Sequence, residues 1–171
     1  MKIILIGFMG SGKSTVGRQL ARMLGLTFID SDELVLSRSG RSSIDEIFTQ
    51  DGEAHFREME IAVAKEMRNS VNAVIATGGG AVMNQIIFAY LKSQPDTAVI
   101  YLTAKFDTVR QRLEDDKTRP LRNDIGVLYE LREPLYRYYA DMAVNNDDRT
   151  LESTAEEIIE KFKHGFYPPG G

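Results

Sequence analysis

The chain has 171 residues, a net charge of −4, 43% hydrophobic and 27% charged residues, and no cysteine. That length suits one domain with a core that needs no covalent staples, and the missing thiols exclude disulfide frameworks, thiolate metal sites and cysteine nucleophiles. An acidic balance without a basic stripe speaks against nucleic-acid binding, and no apolar run approaches the ~18 residues that cross a membrane, so a cytoplasmic protein with small-molecule partners is expected.

The first predicted element is a buried strand over residues 2–6, KIILI. It runs directly into Gly7-Phe8-Met9-Gly10-Ser11-Gly12-Lys13-Ser14, an unbroken G-x-x-x-x-G-K-[ST], and an amphipathic helix follows over 15–24. Strand, glycine loop and helix in that order are the context a phosphate-binding loop requires. In segment 7–15 the backbone N–H groups around Gly10, Ser11, Gly12 and Thr15 would curl about phosphate oxygens at a helix N-terminus. Lys13 would reach the β- and γ-phosphates, and the Ser14 hydroxyl would meet magnesium.

The second predicted strand, 27–30, ends at Asp30, with Ser31 and Asp32 next. Two carboxylates thus fall at the C-terminal edge of the sheet, where open α/β folds place ligands. Aspartate also caps helices well, so one of the pair suits the N-cap of the helix that follows. The later strands end in Thr-Gly-Gly-Gly and Thr-Ala. Asp30 and Asp32 are therefore the available acids for supporting a metal beside the loop. No Asn/Thr-Lys-x-Asp motif occurs, which argues against a guanine-specific GTPase.

A helix is predicted over 53–67, carrying Arg57 just after Phe56. A third strand, 74–76, leads into "ATGGGAV", where Gly78, Gly79 and Gly80 stand in succession. Each glycine is entropically unfavourable to order, and a tight turn needs only one or two. The run is read as bare backbone that a ligand approaches, with the N–H groups of Gly79 and Gly80 facing it. A fourth strand is predicted over 99–102 and a helix over 107–114. Residues 115–126 then form a polar, charged stretch without periodicity, expected to be a mobile lid, which holds Arg119 and Arg122. Its acidic start, Glu114 to Asp116, reads as a solvated face. Arg132 lies in "ELREPLYRYYA", a helix crowded with tyrosines. A weaker strand at 142–144, a helix over 154–162 and a frayed tail at about 165–171 complete the pattern. Guanidinium forks suit carboxylates and phosphates, so three arginines near one sheet edge are candidate anion partners. His55 and His164 have no partner pattern and receive no catalytic role.

Alternating strands and helices imply a parallel sheet covered on both faces, in a single domain spanning 1–171. Read together and in order, the phosphate loop, "FIDSDEL", "FREME", "GGGAV", "TRPL" and "REPLYRYYA" make the chain resemble the shikimate kinases from Lys2 to about Lys161. The loop alone is common to many kinases; the Asp-x-Asp, triple glycine and Arg-x-Pro-Leu-Tyr carry the specificity. The resemblance implies an α/β P-loop NTPase fold of the nucleoside-monophosphate-kinase type: three layers, a five-stranded parallel sheet in order 2-3-1-4-5, a substrate-binding helical region at about 32–61 and a lid. It implies transfer of the ATP γ-phosphate to the 3-hydroxyl of shikimate, a step of aromatic amino-acid biosynthesis, with Mg2+ present.

Carried over by position, Arg57 and Arg132 match the pair that grips the shikimate carboxylate, and Gly78, Gly79 and Gly80 the substrate wall. Asp32 matches the acid that binds the ring hydroxyls and orients or deprotonates the attacking one. Asp30 matches the acid supporting magnesium, and Arg119 the lid arginine that closes over the transferring phosphoryl group. Arg112 matches the arginine packed against adenine, with Arg110 as the neighbouring alternative, and "NNDDR" aligns with a loop facing adenine. Arg122 departs from the family pattern, which often has an apolar residue there. The rivals are gluconate kinase or another small-molecule kinase of this fold, and a non-catalytic nucleotide-binding module. The module would be marked by loss of Lys13, Asp32 or Arg119, and all three are present. A monomer is expected.

Overall fold

The structure, a computed structural model, describes residues 1–115 and 124–163. Five strands pair in parallel: β1 (Lys2–Ile6), β2 (Thr27–Asp30), β3 (Ala73–Ala76), β4 (Thr97–Thr103) and β5 (Met142–Asn145). Their order is β2-β3-β1-β4-β5, as expected. β1, β3 and nearly all of β4 are buried, which is why they read as continuous apolar runs rather than alternating ones.

Helices cover both faces. On one side α1 (Lys13–Leu24) and α8 (Leu151–Lys163) supply Val16, Leu20, Ala155 and Ile158 against Ile3, Leu5, Val74 and Ile100. On the other, α4 (Glu53–Met67), α5 (Gln85–Leu91) and α7 (Ile125–Tyr139) bury Phe56, Val63, Phe88 and Tyr136 against Ile4, Ile6, Ile75 and Tyr101. The alternation of Ile3 and Leu5 with Ile4 and Ile6 is the period-two signature of a central strand feeding two cores. Helices α2 (Ser31–Ser39) and α3 (Ile44–Gln50) pack beside α4, and α6 (Phe106–Asp115) follows β4.

Helices α3 and α5 were not among the expected elements. Each has seven residues, too few for a 3.6-residue period to declare itself, and "QIIFAYL" carries as much strand as helix character. The expected lid boundaries also shift. Asp115 is the last residue of α6, while Ile125 and Gly126 open α7, because each helix extends one or two residues into the polar stretch. Arg119 and Arg122 in the lid, and the expected tail, lie outside the described residues. Among the described residues no helix is long and apolar enough to cross a membrane.

The register lines up the C-terminal ends of β1, β2 and β3: both Leu5 and Asp30 pair with Ala76. The glycine loop, the Asp30–Asp32 turn and the triple glycine therefore leave the sheet side by side.

Candidate active site

The loop between β1 and α1 turns through Gly10 and Gly12, whose φ values of 76° and 94° fall in the left-handed region that favours glycine. Lys13 folds back so that Nζ donates to the carbonyls of Gly7 (2.9 Å) and Phe8 (2.8 Å), which holds the ammonium within the curl of the loop. The loop is braced from behind by Asn146, just past β5. Its Nδ2 donates to the Ser11 carbonyl at 2.7 Å, and its Oδ1 accepts from the Thr154 hydroxyl of α8 at 2.9 Å. A Cβ at Gly12 would stand 2.5 Å from that Nδ2, so Gly12 is needed for clearance as well as conformation. From α6, Arg112 donates to the carbonyls of Gly10 (3.1 Å) and Asn146 (3.0 Å). Arg110 instead pairs with Glu114 on the exposed side. The geometry thus puts Arg112 against the glycine loop and Arg110 away from it.

Asp30 does two jobs. Its Oδ1 accepts from the N–H groups of Asp32 (3.0 Å) and Glu33 (3.3 Å), capping α2, while its Oδ2 accepts from the Ser14 hydroxyl at 2.6 Å. Asp32 stands one residue into α2, beside Gly78.

None of Gly78, Gly79 and Gly80 has a left-handed φ, so turn conformation does not explain the run. Close approach does. A Cβ at Gly78 would stand 2.5 Å from Asp32 Oδ1, one at Gly79 3.1 Å from the Met9 nitrogen in the phosphate loop, and one at Gly80 3.0 Å from Arg57 Nη1 and 3.6 Å from Arg132 Nη2. The space expected for a ligand is, at each glycine, first the space of another site residue. Gly78 also donates its N–H to the Ser31 hydroxyl at 2.9 Å.

Arg57 is anchored by two acids on its own helix, Glu53 (3.0 Å) and Glu60 (2.7 Å). Burial works against its charge, but the hydrogen bonds and charges of Glu60 and Glu53 outweigh it, so its pKa is raised. Glu60 is itself buried, and that burial pushes its carboxyl above the usual range; the bond to Arg57 offsets only part of the shift, and the charge of Asp32 adds to it. Arg132, buried on α7, lies over the Phe8 ring at 5.9 Å, and its Nε finds no hydrogen-bond partner among the described residues. One turn on, the Tyr136 hydroxyl donates to the Gly79 carbonyl at 2.6 Å.

The sequence reading assigned no role to Glu60 or Tyr136, and took Asn146 only as part of "NNDDR", a loop facing adenine. Glu60 had a signal: it occupies the apolar stripe Phe56, Glu60, Val63, Ala64, Met67 of α4, and an acid there is buried unless the helix is misplaced. The bracing of the loop by Asn146 had no signal, because its partners are 135 residues away in Ser11 and across a turn in Thr154. Beside the loop opens a cleft of about 420 Å³ whose walls include Lys13, Ser14, Asp30, Asp32, Gly79 and Arg112.

The family model described as shikimate kinase matches residues 9–163. The chain belongs to the shikimate kinase family. A shikimate kinase of Actinobacillus pleuropneumoniae is 40% identical over 164 residues, covering 92% of this chain and 93% of that protein. The solved structure of the shikimate kinase from Acinetobacter baumannii in complex with shikimate superposes with a TM-score of 0.89 at 34% identity, covering 98% of this chain and 95% of that one. A gluconokinase from Sinorhizobium meliloti covers 95% of this chain and 91% of its own, at a TM-score of 0.61 and 18% identity, and so shares the fold alone.

Proposed function

We propose that this chain transfers the γ-phosphoryl group of ATP to the 3-hydroxyl of shikimate, giving shikimate 3-phosphate and ADP. The observation that carries the reading is the convergence of Arg57 and Arg132 on Gly80, with Asp32 beside Gly78, at the sheet edge that also carries the phosphate loop. Two guanidinium groups beside bare backbone suit a compact acid, and a carboxylate a few residues away along the wall suits its hydroxyls.

Phosphoryl transfer depends on positioning and charge stabilisation more than on covalent catalysis. The loop amides bind the phosphates, and Lys13 turns from the loop carbonyls to the β,γ-bridge. Asp32 orients the attacking hydroxyl and takes its proton as the new oxygen–phosphorus bond forms and the bond to the bridging oxygen breaks. Arg119, which lies outside the described residues, is given by the family resemblance the role of stabilising charge on the transferring group. Arg112 supports the adenine side, and helices α2 to α4 form the acceptor region.

The Ser14 hydroxyl and Asp30 carboxylate, 2.6 Å apart, are hard oxygen donors that fit magnesium completed by phosphate oxygens and water. Bound there, magnesium neutralises developing charge on the phosphate oxygens. Ser14 would bind it directly, and Asp30 would hold one of its waters. The protein acts as a cytoplasmic monomer.

The test is ADP release with magnesium-ATP and either shikimate, gluconate or no acceptor. Turnover with shikimate alone is expected. Turnover with gluconate would keep the fold and loop but overturn the acceptor assignment, and silence with both in a folded, ATP-binding protein would favour a binding module.

A further inference from the structure

The hydroxyl of Tyr136 joins two parts of the acceptor end that are otherwise separate. Tyr136 is fully buried and stacks on Tyr101 at 5.1 Å. A phenol has one hydrogen to give and lone pairs to receive. Here the hydrogen is committed to the Gly79 carbonyl at 2.6 Å, so a lone pair is left for a donor. Arg132 stands one helical turn earlier on α7, so the bond to Gly79 ties the helix that carries Arg132 to the glycine run; burial raises the phenol's pKa, and the nearby charge of Arg132 opposes that rise.

The consequence follows from peptide geometry. In a trans peptide the C=O and N–H of one unit point to opposite sides. Drawing the Gly79 carbonyl toward α7 therefore turns the N–H of Gly80 away from the Tyr136 hydroxyl. The same bond fixes α7 against the glycine run one turn from Arg132, whose Nε has no hydrogen-bond partner among the described residues.

We infer that Tyr136 is a positioning residue for the acceptor: through its single hydroxyl it holds α7, and with it Arg132, in register with the Gly79–Gly80 peptide for the acceptor's carboxylate. This rests on the shikimate reading given above. Tyr136 does not touch the reacting atoms; it acts through Arg132 and the backbone.

The test is a double-mutant cycle of Tyr136→Phe with Arg132→Lys, with Tyr101→Phe as a control that deletes a buried phenol hydroxyl from the stacked neighbour. Each protein is assayed for KM of shikimate, KM of ATP, kcat and Tm. Tyr136→Phe is expected to raise the shikimate KM about tenfold, the effect of stranding a buried acceptor, with the ATP KM within about twofold. On the Arg132→Lys background the same deletion should shift KM less than about threefold, because the partner it acts through is gone. Tyr101→Phe should leave the shikimate KM unchanged. Equal fold-effects on both backgrounds, or a Tyr136→Phe protein that fails to fold while Tyr101→Phe folds, would reduce Tyr136 to a packing role and overturn the inference. If the wild-type protein does not turn over shikimate, the functional reading fails first and takes this inference with it, which the same assay shows before any variant is compared.

Discussion

The two ends of the proposed site, one for the nucleotide and one for the acceptor, are built differently. The nucleotide end is made mostly of backbone from one contiguous segment, with Lys13 and Ser14 at its close. The acceptor end is made of side chains and bare glycines from four places: Asp32 on α2, Arg57 and Glu60 on α4, Gly78 to Gly80 after β3, and Arg132 and Tyr136 on α7. A backbone cradle travels as a local motif. A side-chain clamp exists only when the fold brings its parts together, so each part depends on its neighbours for clearance and orientation.

Removing charge from the nucleotide end should have the largest effect. Lys13→Ala is expected to lower kcat by about 10²–10³-fold, as for loss of a major group that stabilises developing charge. Steady-state rates at saturating ATP and shikimate check this, and a kcat within tenfold of wild type would remove Lys13 from the transfer step. Next comes the clamp. Arg57→Lys should raise the shikimate KM by about 10–100-fold while the ATP KM stays near wild type, since an ammonium cannot reproduce a planar fork. Equal rises in both constants would mean that the two ends are not separable in this way.

The glycines sharpen the comparison further. Gly78→Ala places a methyl against the Asp32 carboxylate, whereas Gly80→Ala meets the flexible tip of Arg57. Gly78→Ala should therefore lower kcat/KM for shikimate by about tenfold or more, and Gly80→Ala by about threefold. The reverse ranking would show that ligand approach, rather than clearance for Asp32, dictates the run.

The smallest effect concerns Glu60. Its folded pKa is raised above the ordinary 4.5, so its contribution to stability is fully present below the unfolded pKa and is lost as pH rises through the folded one. From about pH 4 to pH 7, wild type should lose Tm relative to Glu60→Gln, by on the order of 2–4 °C for each kcal/mol of shift. Parallel Tm curves would mean that Glu60 titrates as an ordinary surface acid.

The same contrast explains what was legible in the sequence. Strands β1 and β2 and helix α4 were readable to the residue, because β1 is an unbroken buried apolar run, β2 is a short edge strand that ends at the Asp30–Asp32 turn, and α4 is long enough to show its period. The phosphate loop was readable because its signature residues are contiguous, although its braces, Asn146 and Arg112, come from far along the chain. At the acceptor end the residue types pointed to anion binding, and the family resemblance supplied their roles. The reason for the triple glycine was only half legible: close approach was expected, but from a ligand. That Asp32, the Met9 nitrogen and the two guanidiniums are what come close depends on a register between strands far apart in the chain. Tyr136 was hidden for the same reason, since its partner Gly79 is 57 residues away.

If one end delivers the phosphoryl group and the other fixes a single hydroxyl before it, the product must be one positional isomer. The most direct measurement is phosphorus–proton NMR on the product of magnesium-ATP and shikimate. The account expects the new phosphorus to couple to the ring proton at C3 and to no other. Coupling to a proton at another carbon, a mixture of isomers, or free phosphate without an organic phosphate would contradict it.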